Sequence, residues 1–196
     1  MLLVNIMLSI KNNSKYEYII KNSKFISLIF RVYNKDEVNN YLDKVKNEYT
    51  GATHYCYGYV IDNDIRMNDD GEPSGTAGTP ILKQIQNNNL NYTLIIVVRY
   101  FGGIKLGAGP LTRAYAKVSR DVINEDNIIE LVKGYDIDIT FNYNDIKTVD
   151  YLLNNSKIIN KAFDNDITYN AYVTKEVLDS LSNYSIKIKK EIFIEK

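Results

Sequence analysis

The stretch Thr93 to Ala116, TLIIVVRYFGGIKLGAGPLTRAYA, decides the fold of the chain around it. It begins with an apolar run, Leu94 to Val98, that is typical of a fully buried strand. A turn with four glycines follows, and the sequence predicts a helix from Pro110 onward. A glycine turn that leads into a helix presents backbone N–H groups, which suits an anion such as phosphate. The glycines are Gly102, Gly103, Gly107 and Gly109.

The glycine turn fits neither of two well-known nucleotide-binding patterns. Gly102 and Gly107 have the spacing of a P-loop, but Ala108 and Gly109 follow where that loop needs Lys and then Ser or Thr. Thr112 stands where the dinucleotide-binding pattern has its third glycine. Two interpretations therefore stay open: an anion site made of free N–H groups, or glycines that only permit positive φ in a tight corner.

Basic side chains accompany the turn, and with its glycines they are our candidate anion- or nucleic-acid-binding residues. Arg113, Lys117 and Arg120 lie on the helix face opposite its apolar stripe, a position that is also typical of a solvated face. Arg99 adjoins two aromatic residues, which suits phosphate binding or base stacking as well as a structural ion pair. The basic candidates are Arg99, Lys105, Arg113, Lys117 and Arg120.

A second polar segment, DDGEPSGTAGTP from Asp69 to Pro80, is a possible site loop. Its carboxylates suit Mg²⁺ binding or acid–base chemistry, a solvated turn, or ion pairs that brace Arg99 or Lys105. The chain has one histidine, which excludes a multi-histidine metal site, and we predict no metal ligands and no cofactor. The possible site residues are His54, Asp69, Asp70, Glu72, Ser74 and Thr76.

His54 and Cys56 lie two residues apart on a predicted strand, so their side chains share one face. A Cys–His nucleophile pair needs a hydrogen bond of about 3 Å, which neighbouring strand positions seldom provide. We expect a packed cysteine and a hydrogen-bonding histidine, and we predict no catalytic residue.

The composition sets limits on partners and location. The chain has 196 residues, with 24 Lys plus Arg and 24 Asp plus Glu, so nucleic-acid binding requires a local basic patch. A single cysteine excludes an internal disulfide and favours the reduced cytoplasm. The opening segment MLLVNIMLSI is too short to span a bilayer and lacks a basic region before it. We expect an edge strand there, or translation that begins at Met7, and no membrane partner.

Patterning along the chain predicts an α+β protein of two domains, residues 1–133 and 134–196. The first opens with a hairpin around Asn22-Ser23 and a helix capped by Asn34 with Glu37. A long polar loop from 61 to 80 precedes a short helix, for which we predict Thr79 as the cap. The second has the order β-α-β-β-α-β of ferredoxin-like folds, with predicted helix caps at Asn144 and Thr174. It holds 8 Lys against 10 Asp plus Glu, net −2, which leaves +2 for the first. We therefore do not expect the second domain to bind polyanions strongly.

Three phrases, ATHYCYGYVI, NDDGEPSGTAGTPIL and VVRYFGGIKLGAGPLTRAYA, resemble the signature blocks of the IMPACT/YigZ family. The resemblance runs from about Lys24 to Val122, and it departs from the family at Gly58 and Pro110, where Ala and Gly are usual. It implies an N-terminal α/β sandwich similar to domain IV of elongation factor G, with a left-handed β-α-β crossover. It also implies a C-terminal domain similar to domain V of that factor. No catalytic residues or cofactor come with the family.

The resemblance and the basic patch together predict a non-catalytic, translation-linked protein that binds RNA, the ribosome or another phosphate-rich partner. The family's eukaryotic members are translational regulators that compete for a partner protein, so the resemblance also implies a protein partner in translation control. Two alternatives stay open. One is a Mg²⁺-dependent enzyme acting on a small phosphorylated or nucleotide substrate, and the other is a pure protein-interaction module.

Overall fold

The structure is a computed structural model that describes residues 6–196, and these form two compact units, residues 7–129 and residues 130–196 together with Ile6. The predicted boundary between residues 133 and 134 lies inside a strand, Ile128–Phe141, so a division at that point stays a prediction. Residues 1–5 of the opening segment lie outside the described part. Its described residues include a strand, β1 (Met7–Ile10).

The first unit is built on a five-stranded antiparallel sheet with the order β2-β3-β6-β4-β5. The strands are β2 (Ser14–Ile20), β3 (Ser23–Arg31), β4 (His54–Ile61), β5 (Asp64–Asn68) and β6 (Thr93–Tyr100). The helices are α1 (Lys35–Glu48), α2 (Gly78–Asn87) and α3 (Ala108–Asp121). Strands β3 and β4 both pair with β6, so the α1 crossover joins two strands of the same direction on either side of β6.

Strand β6 is the centre of this unit. Its apolar run from Leu94 to Val98 is 0% exposed, as the sequence predicts for a fully buried strand. Helices α2 and α3 cover one face of the sheet, where Ile81 and Tyr115 pack in a core with Val97. On α1, Tyr41 stacks on Phe30 of β3 with ring centroids 4.2 Å apart. Because Phe30 points away from the face that holds Phe25 and Ile29, α1 covers the opposite face.

Two local predictions for the first unit are confirmed. Strands β2 and β3 form a hairpin, although its turn residues are Lys21 and Asn22, with φ of 45° and 62°, one position before the predicted turn. Asn34 caps α1 by accepting the N–H of Glu37 at 2.9 Å, and the Glu37 carboxylate accepts the N–H of Tyr33. This reciprocal pair is the predicted capping box, except that Glu37 accepts the N–H of Tyr33 rather than that of Asn34.

Three predictions for the first unit are wrong. The polar loop from 61 to 80 contains strand β5, an exposed edge strand whose two apolar residues, Ile65 and Met67, are themselves 45% and 49% exposed. Helix α3 begins at Ala108 rather than Pro110. Thr79 does not cap α2, because the Asp69 carboxylate accepts the N–H groups of Ala77 and Gly78 instead.

The second unit has an antiparallel sheet with the strand order β10-β7-β9-β8. Its elements are β7 (Ile128–Phe141), α4 (Ile146–Leu152), β8 (Lys157–Phe163), β9 (Ile167–Thr174), α5 (Lys175–Ser180) and β10 (Ser185–Glu195). The element order and the pairing of β7 and β8 on either side of β9 are those of the ferredoxin-like split β-α-β fold. Thr174 caps α5 as predicted, whereas Asn144 does not cap α4; Asn142 accepts the Asn144 N–H at 2.9 Å.

The α+β class is confirmed in both units. The left-handed crossover and the likeness to domains of elongation factor G stay implications of the family resemblance. Within residues 6–196, no helix combines the length and the apolar character that crossing a membrane requires.

Candidate functional site

The three signature blocks meet at the buried carboxylate of Glu72, which is 8% exposed. Its Oε1 accepts hydrogen bonds from Arg99 Nη1 at 2.6 Å and from the Tyr115 hydroxyl at 2.8 Å. The Cys56 Sγ lies 3.3 Å from the Tyr115 hydroxyl oxygen. We call these four residues the Glu72 cluster. His54 borders it, with Nε2 3.8 Å from Glu72 Oε2.

Arg99 is held from several sides inside the protein. Its guanidinium carbon lies 5.3 Å from the ring centroid of Phe25 and 5.5 Å from that of Phe101. Nη2 lies 3.5 Å from Ser23 Oγ, and Nε is buried without a hydrogen-bond partner in the described part of the chain. Of the two interpretations of Arg99, the structure contains the structural ion pair, in which one charge-assisted hydrogen bond from Nη1 to Glu72 offsets part of the cost of burying both groups.

The three loop carboxylates bind separate protein donors. Asp69 accepts the N–H groups of Gly75, Ala77 and Gly78 at 2.7–3.0 Å, and Asp70 accepts the N–H of Tyr55 at 2.6 Å. Burial alone raises the pKa of Asp69, but the three amide donors outweigh it and hold the pKa below its usual value. In residues 6–196, no three or more His, Cys, Asp and Glu side chains are grouped to hold a metal ion.

The rest of the possible site loop is tied together by its own backbone. The Thr76 hydroxyl donates to the Pro73 carbonyl at 2.6 Å, and His54 Nδ1 lies 2.7 Å from the Asp70 carbonyl oxygen. Ser74 is exposed. The loop therefore brings His54, Asp70 and Glu72 near one another, while Ser74 and Thr76 face other surroundings.

Cys56 and Tyr115 are held in their neutral forms. Burial raises the pKa of the Cys56 thiol to about 12, so little thiolate, the nucleophilic form, is present at neutral pH. Burial also raises the pKa of Tyr115, whose hydroxyl keeps its proton and donates it to Glu72. The expected packed cysteine is what the structure contains, and His54 bonds to Asp70 rather than to Cys56.

Backbone geometry explains why three of the four residues Gly102, Gly103, Gly107 and Gly109 in the turn are glycines. Gly103 and Gly107 have φ of 81° and 83°, in the left-handed region that disfavours other residues. A Cβ at Gly102 would lie 2.1 Å from the backbone carbon of Asn22, and the Gly102 N–H donates to Ser23 Oγ at 3.1 Å. The corner interpretation is thus supported at these positions, while anion binding stays a prediction.

The five basic candidates lie in different surroundings. Lys117 and Arg120 both pair with Asp121, at 2.6 and 2.9 Å, and the Lys117 ammonium lies 5.3 Å from the ring centroid of Tyr18. Lys105 and Arg113 are exposed and form no ion pair with any residue from 6 to 196.

The glycine turn that carries Lys105 and leads into α3 also has exposed apolar side chains. Phe101 is 44% exposed and Ile104 is 48% exposed. A Cβ at Gly109 would lie 3.5 Å from Arg113 Nη1, which places that guanidinium at the first turn of α3. We call Phe101, Ile104, Lys105 and Arg113 the outer loop surface.

The sequence interpretation missed several residues of this region. Tyr115 lies on the apolar stripe of α3, and its site role is not evident from that position; the signal for it is that a buried tyrosine hydroxyl needs a hydrogen-bond partner. Ser23 and Thr53 were missed as anchors; Thr53 Oγ1 accepts the Phe101 N–H at 3.0 Å. No local pattern marks either residue, because their partners lie far away in the sequence.

Comparison with known proteins finds similarity over the first unit and over most of the whole chain. Residues 21–123 match the model of the Impact N-terminal domain. The chain is similar to the IMPACT family member YvyE of Bacillus subtilis (strain 168), with 32% identity over 185 residues that cover 92% of this chain and 85% of the relative. It is also similar to the IMPACT family member YigZ of Escherichia coli (strain K12), with 36% identity over 101 residues, 49% of this chain and 50% of the relative. A crystal structure titled as that of a hypothetical protein has the same fold, with a TM-score of 0.70 at 24% identity, over 95% of this chain and 97% of that one.

Proposed function

This chain belongs to the IMPACT family, and from that premise we propose that it is a non-catalytic protein of translation control that binds RNA or the ribosome through its outer loop surface. Family membership fits a role in translation regulation. The observation that carries the binding proposal is the pair of exposed cations, Lys105 and Arg113, left without an ion-pair partner in residues 6–196.

The surroundings of this pair favour a phosphate partner. An arginine fork suits the paired oxygens of a phosphate group, and the exposed first turn of α3 adds N–H groups and the positive end of the helix dipole. Gly107 and Gly109 carry no side chain of their own at this end of the helix, and the Arg113 guanidinium lies close to Gly109. Lys117 and Arg120 lie further along the same helix, and their charges are largely neutralised by Asp121.

The same observations weaken the enzyme alternative. Asp69, Asp70 and Glu72 each bind a different set of protein donors, and Cys56 keeps its proton. The net charge of +2 on residues 1–133 is small, so we expect a local, salt-sensitive contact rather than tight general binding to polyanions. We place this activity in the cytoplasm, where a free buried cysteine stays reduced.

The experiment is a titration of labelled single-stranded RNA, and separately of purified ribosomes, at several salt concentrations. For each phosphate contact to single-stranded RNA, the slope of log affinity against log salt has a magnitude of about 0.7. We expect Arg113→Ala and Lys105→Ala each to weaken binding and to reduce that slope by about 0.7.

Lys44→Ala is the matched control. Lys44 is an exposed lysine of α1, on the opposite face of the sheet from α3, so its removal should leave binding unchanged. Absent binding, salt-independent binding, or an equal loss in the control would contradict the proposal. Recovery of the same proteins by wild type and Arg113→Ala after nuclease treatment would instead favour the protein-interaction alternative.

A further inference from the structure

Phe101 is an exposed aromatic residue whose backbone is fixed on both sides. Its N–H donates to Thr53 Oγ1 at 3.0 Å, and the next N–H, of Gly102, donates to Ser23 Oγ at 3.1 Å. Gly102 also packs against the backbone of Asn22, so this part of the turn has little room to shift. The ring is therefore presented at a defined position although it is 44% exposed.

The Arg99 guanidinium supports the ring from inside. Its carbon lies 5.5 Å from the Phe101 ring centroid, and the guanidinium itself is fixed by Glu72 at 2.6 Å and by the Phe25 ring at 5.3 Å. Because the guanidinium occupies one face of the Phe101 ring, the exposed area lies on the other face and the edge. An open aromatic face on a rigid support is the arrangement on which unpaired nucleobases stack.

From this geometry we infer that Phe101 is a stacking platform for an unpaired nucleobase, so that the RNA partner is single-stranded. The inference rests on the proposed function, because it assigns the form of RNA that the outer loop surface takes. Lys105 is within reach of the same strand, because its Cα atom is at most roughly 14 Å from that of Phe101, four residues earlier in the chain.

A duplex would use this surface differently. Its bases are stacked on one another inside the helix, so they cannot lie on Phe101, whereas its phosphates can still meet Lys105 and Arg113. Phosphate contacts alone predict no preference for single strands, whereas base stacking predicts that single strands bind more tightly than duplex. The preference for single strands, and its loss with the ring, therefore separates the two contributions.

The test compares a single-stranded RNA of about ten nucleotides, inside the range of roughly 4–16 bound by single-strand binders, with a duplex of the same length. Phe101→Ala and Phe101→Leu remove the aromatic face, and the leucine keeps an apolar cover over Arg99. We expect both to lower single-strand affinity by roughly 5- to 150-fold, the range measured for loss of one stacked base. Phe101→Tyr retains the face and should bind as wild type does.

Two controls keep stacking separate from the phosphate contacts. Ile104→Ala removes an exposed apolar side chain of the same turn that has no aromatic face, and should change single-strand affinity by less than about twofold. The Phe101 variants should keep the wild-type salt slope, because they lose no phosphate contact, whereas Arg113→Ala reduces it. Thermal unfolding of each variant verifies that it is folded.

The outcomes distinguish this inference from the proposed function. If Arg113→Ala weakens binding while the Phe101 variants bind single strands as wild type does, the surface is a plain phosphate site and the stacking inference is wrong. Equal losses toward single strands and duplex in Phe101→Leu would also overturn it. If the wild-type protein binds neither the single strand nor the duplex, both the stacking inference and the proposed RNA binding are wrong.

Discussion

The Glu72 cluster and the outer loop surface contain residues of the same short stretch, yet they treat positive charge in opposite ways. Arg99 is 5% exposed, pairs with Glu72 and lies between two rings. Arg113, on the next element, is exposed and has no ion-pair partner in the described chain. The glycine turn between them takes the chain from the interior to the surface.

The comparison teaches that a basic residue in a glycine-rich motif has to be assigned by its partners rather than by its type. Removal of a buried, ion-paired arginine is costly because it leaves the partner's charge buried and unpaired, and such an arginine has little charge available for a ligand. An exposed, unpaired one contributes little to stability and keeps its charge available. Substitutions in the two regions should therefore have separable effects on folding and on binding.

The largest expected effect is that of Arg99→Ala. It leaves the Glu72 carboxylate buried with Tyr115 as its donor, so we expect a loss of about 3–5 kcal/mol in the free energy of unfolding. Urea unfolding followed by circular dichroism measures it. The double variant Arg99→Met/Glu72→Gln removes both charges and should regain part of the loss. An Arg99→Ala protein as stable as wild type would remove the distinction between the two regions.

The next largest loss of stability is expected for one of two substitutions in the glycine turn, Gly102→Ala and Gly103→Ala. Gly102→Ala places a methyl group 2.1 Å from the Asn22 backbone, which cannot rotate away. We expect a loss of about 3 kcal/mol, the upper part of the usual range for overpacking. Gly103→Ala meets no atom within 4 Å but has φ of 81°, so the expected loss is about 1 kcal/mol. Equal effects in urea unfolding would mean that the turn is not anchored at Gly102.

A smaller effect is expected for Asp69→Asn, and it should depend on pH. The amide group cannot accept the Gly75 N–H as the second carboxylate oxygen does, so we expect a loss of about 1–2 kcal/mol at pH 7. Because folding lowers the pKa of Asp69, its carboxylate stabilises the fold above the unfolded value of about 3.9 and loses that effect as pH falls through the folded-state pKa. The difference between variant and wild type should thus shrink below about pH 4 in urea unfolding. A difference that stays constant down to low pH would contradict this.

The smallest effect on stability is expected at the outer loop surface. The double variant Lys105→Ala/Arg113→Ala removes two exposed, unpaired charges, so its free energy of unfolding should change by less than about 0.5 kcal/mol. The same protein should lose about 1.4 from the salt slope of single-strand RNA binding, twice the value for one contact. A marked loss of stability would show that these side chains belong to the architecture after all.

The sequence predicted those parts of the fold that local patterns determine. The run from Leu94 to Val98 marked the central strand, because only a strand covered on both faces is apolar at every position. The Asn34–Glu37 capping box could be predicted because it involves residues close in sequence. The β-α-β-β-α-β pattern could be predicted because it depends only on the order of the elements. Strand β5 was missed although Ile65 and Met67 alternate with polar residues, because two apolar positions within a long polar segment are too short a pattern to indicate a strand.

The partners within the candidate site could not be predicted from the sequence. For Arg99 the sequence allowed either a ligand contact or a structural ion pair. The ion pair depends on Glu72, which lies 27 positions earlier. Asp69 caps α2 from outside the helix, so the search for a cap at Thr79 found the wrong residue. In each case the deciding contact is tertiary, and residue types alone leave it undetermined.

The Glu72 cluster also bears on the kinetics of folding. Its hydrogen bonds join residues separated by 27, 43 and 59 positions, so they form only after β4, β6 and α3 have come together. If these contacts form after the transition state, their loss speeds unfolding and leaves the folding rate nearly unchanged. The cluster would then slow unfolding, and so set the lifetime of the folded first unit rather than the rate at which it forms.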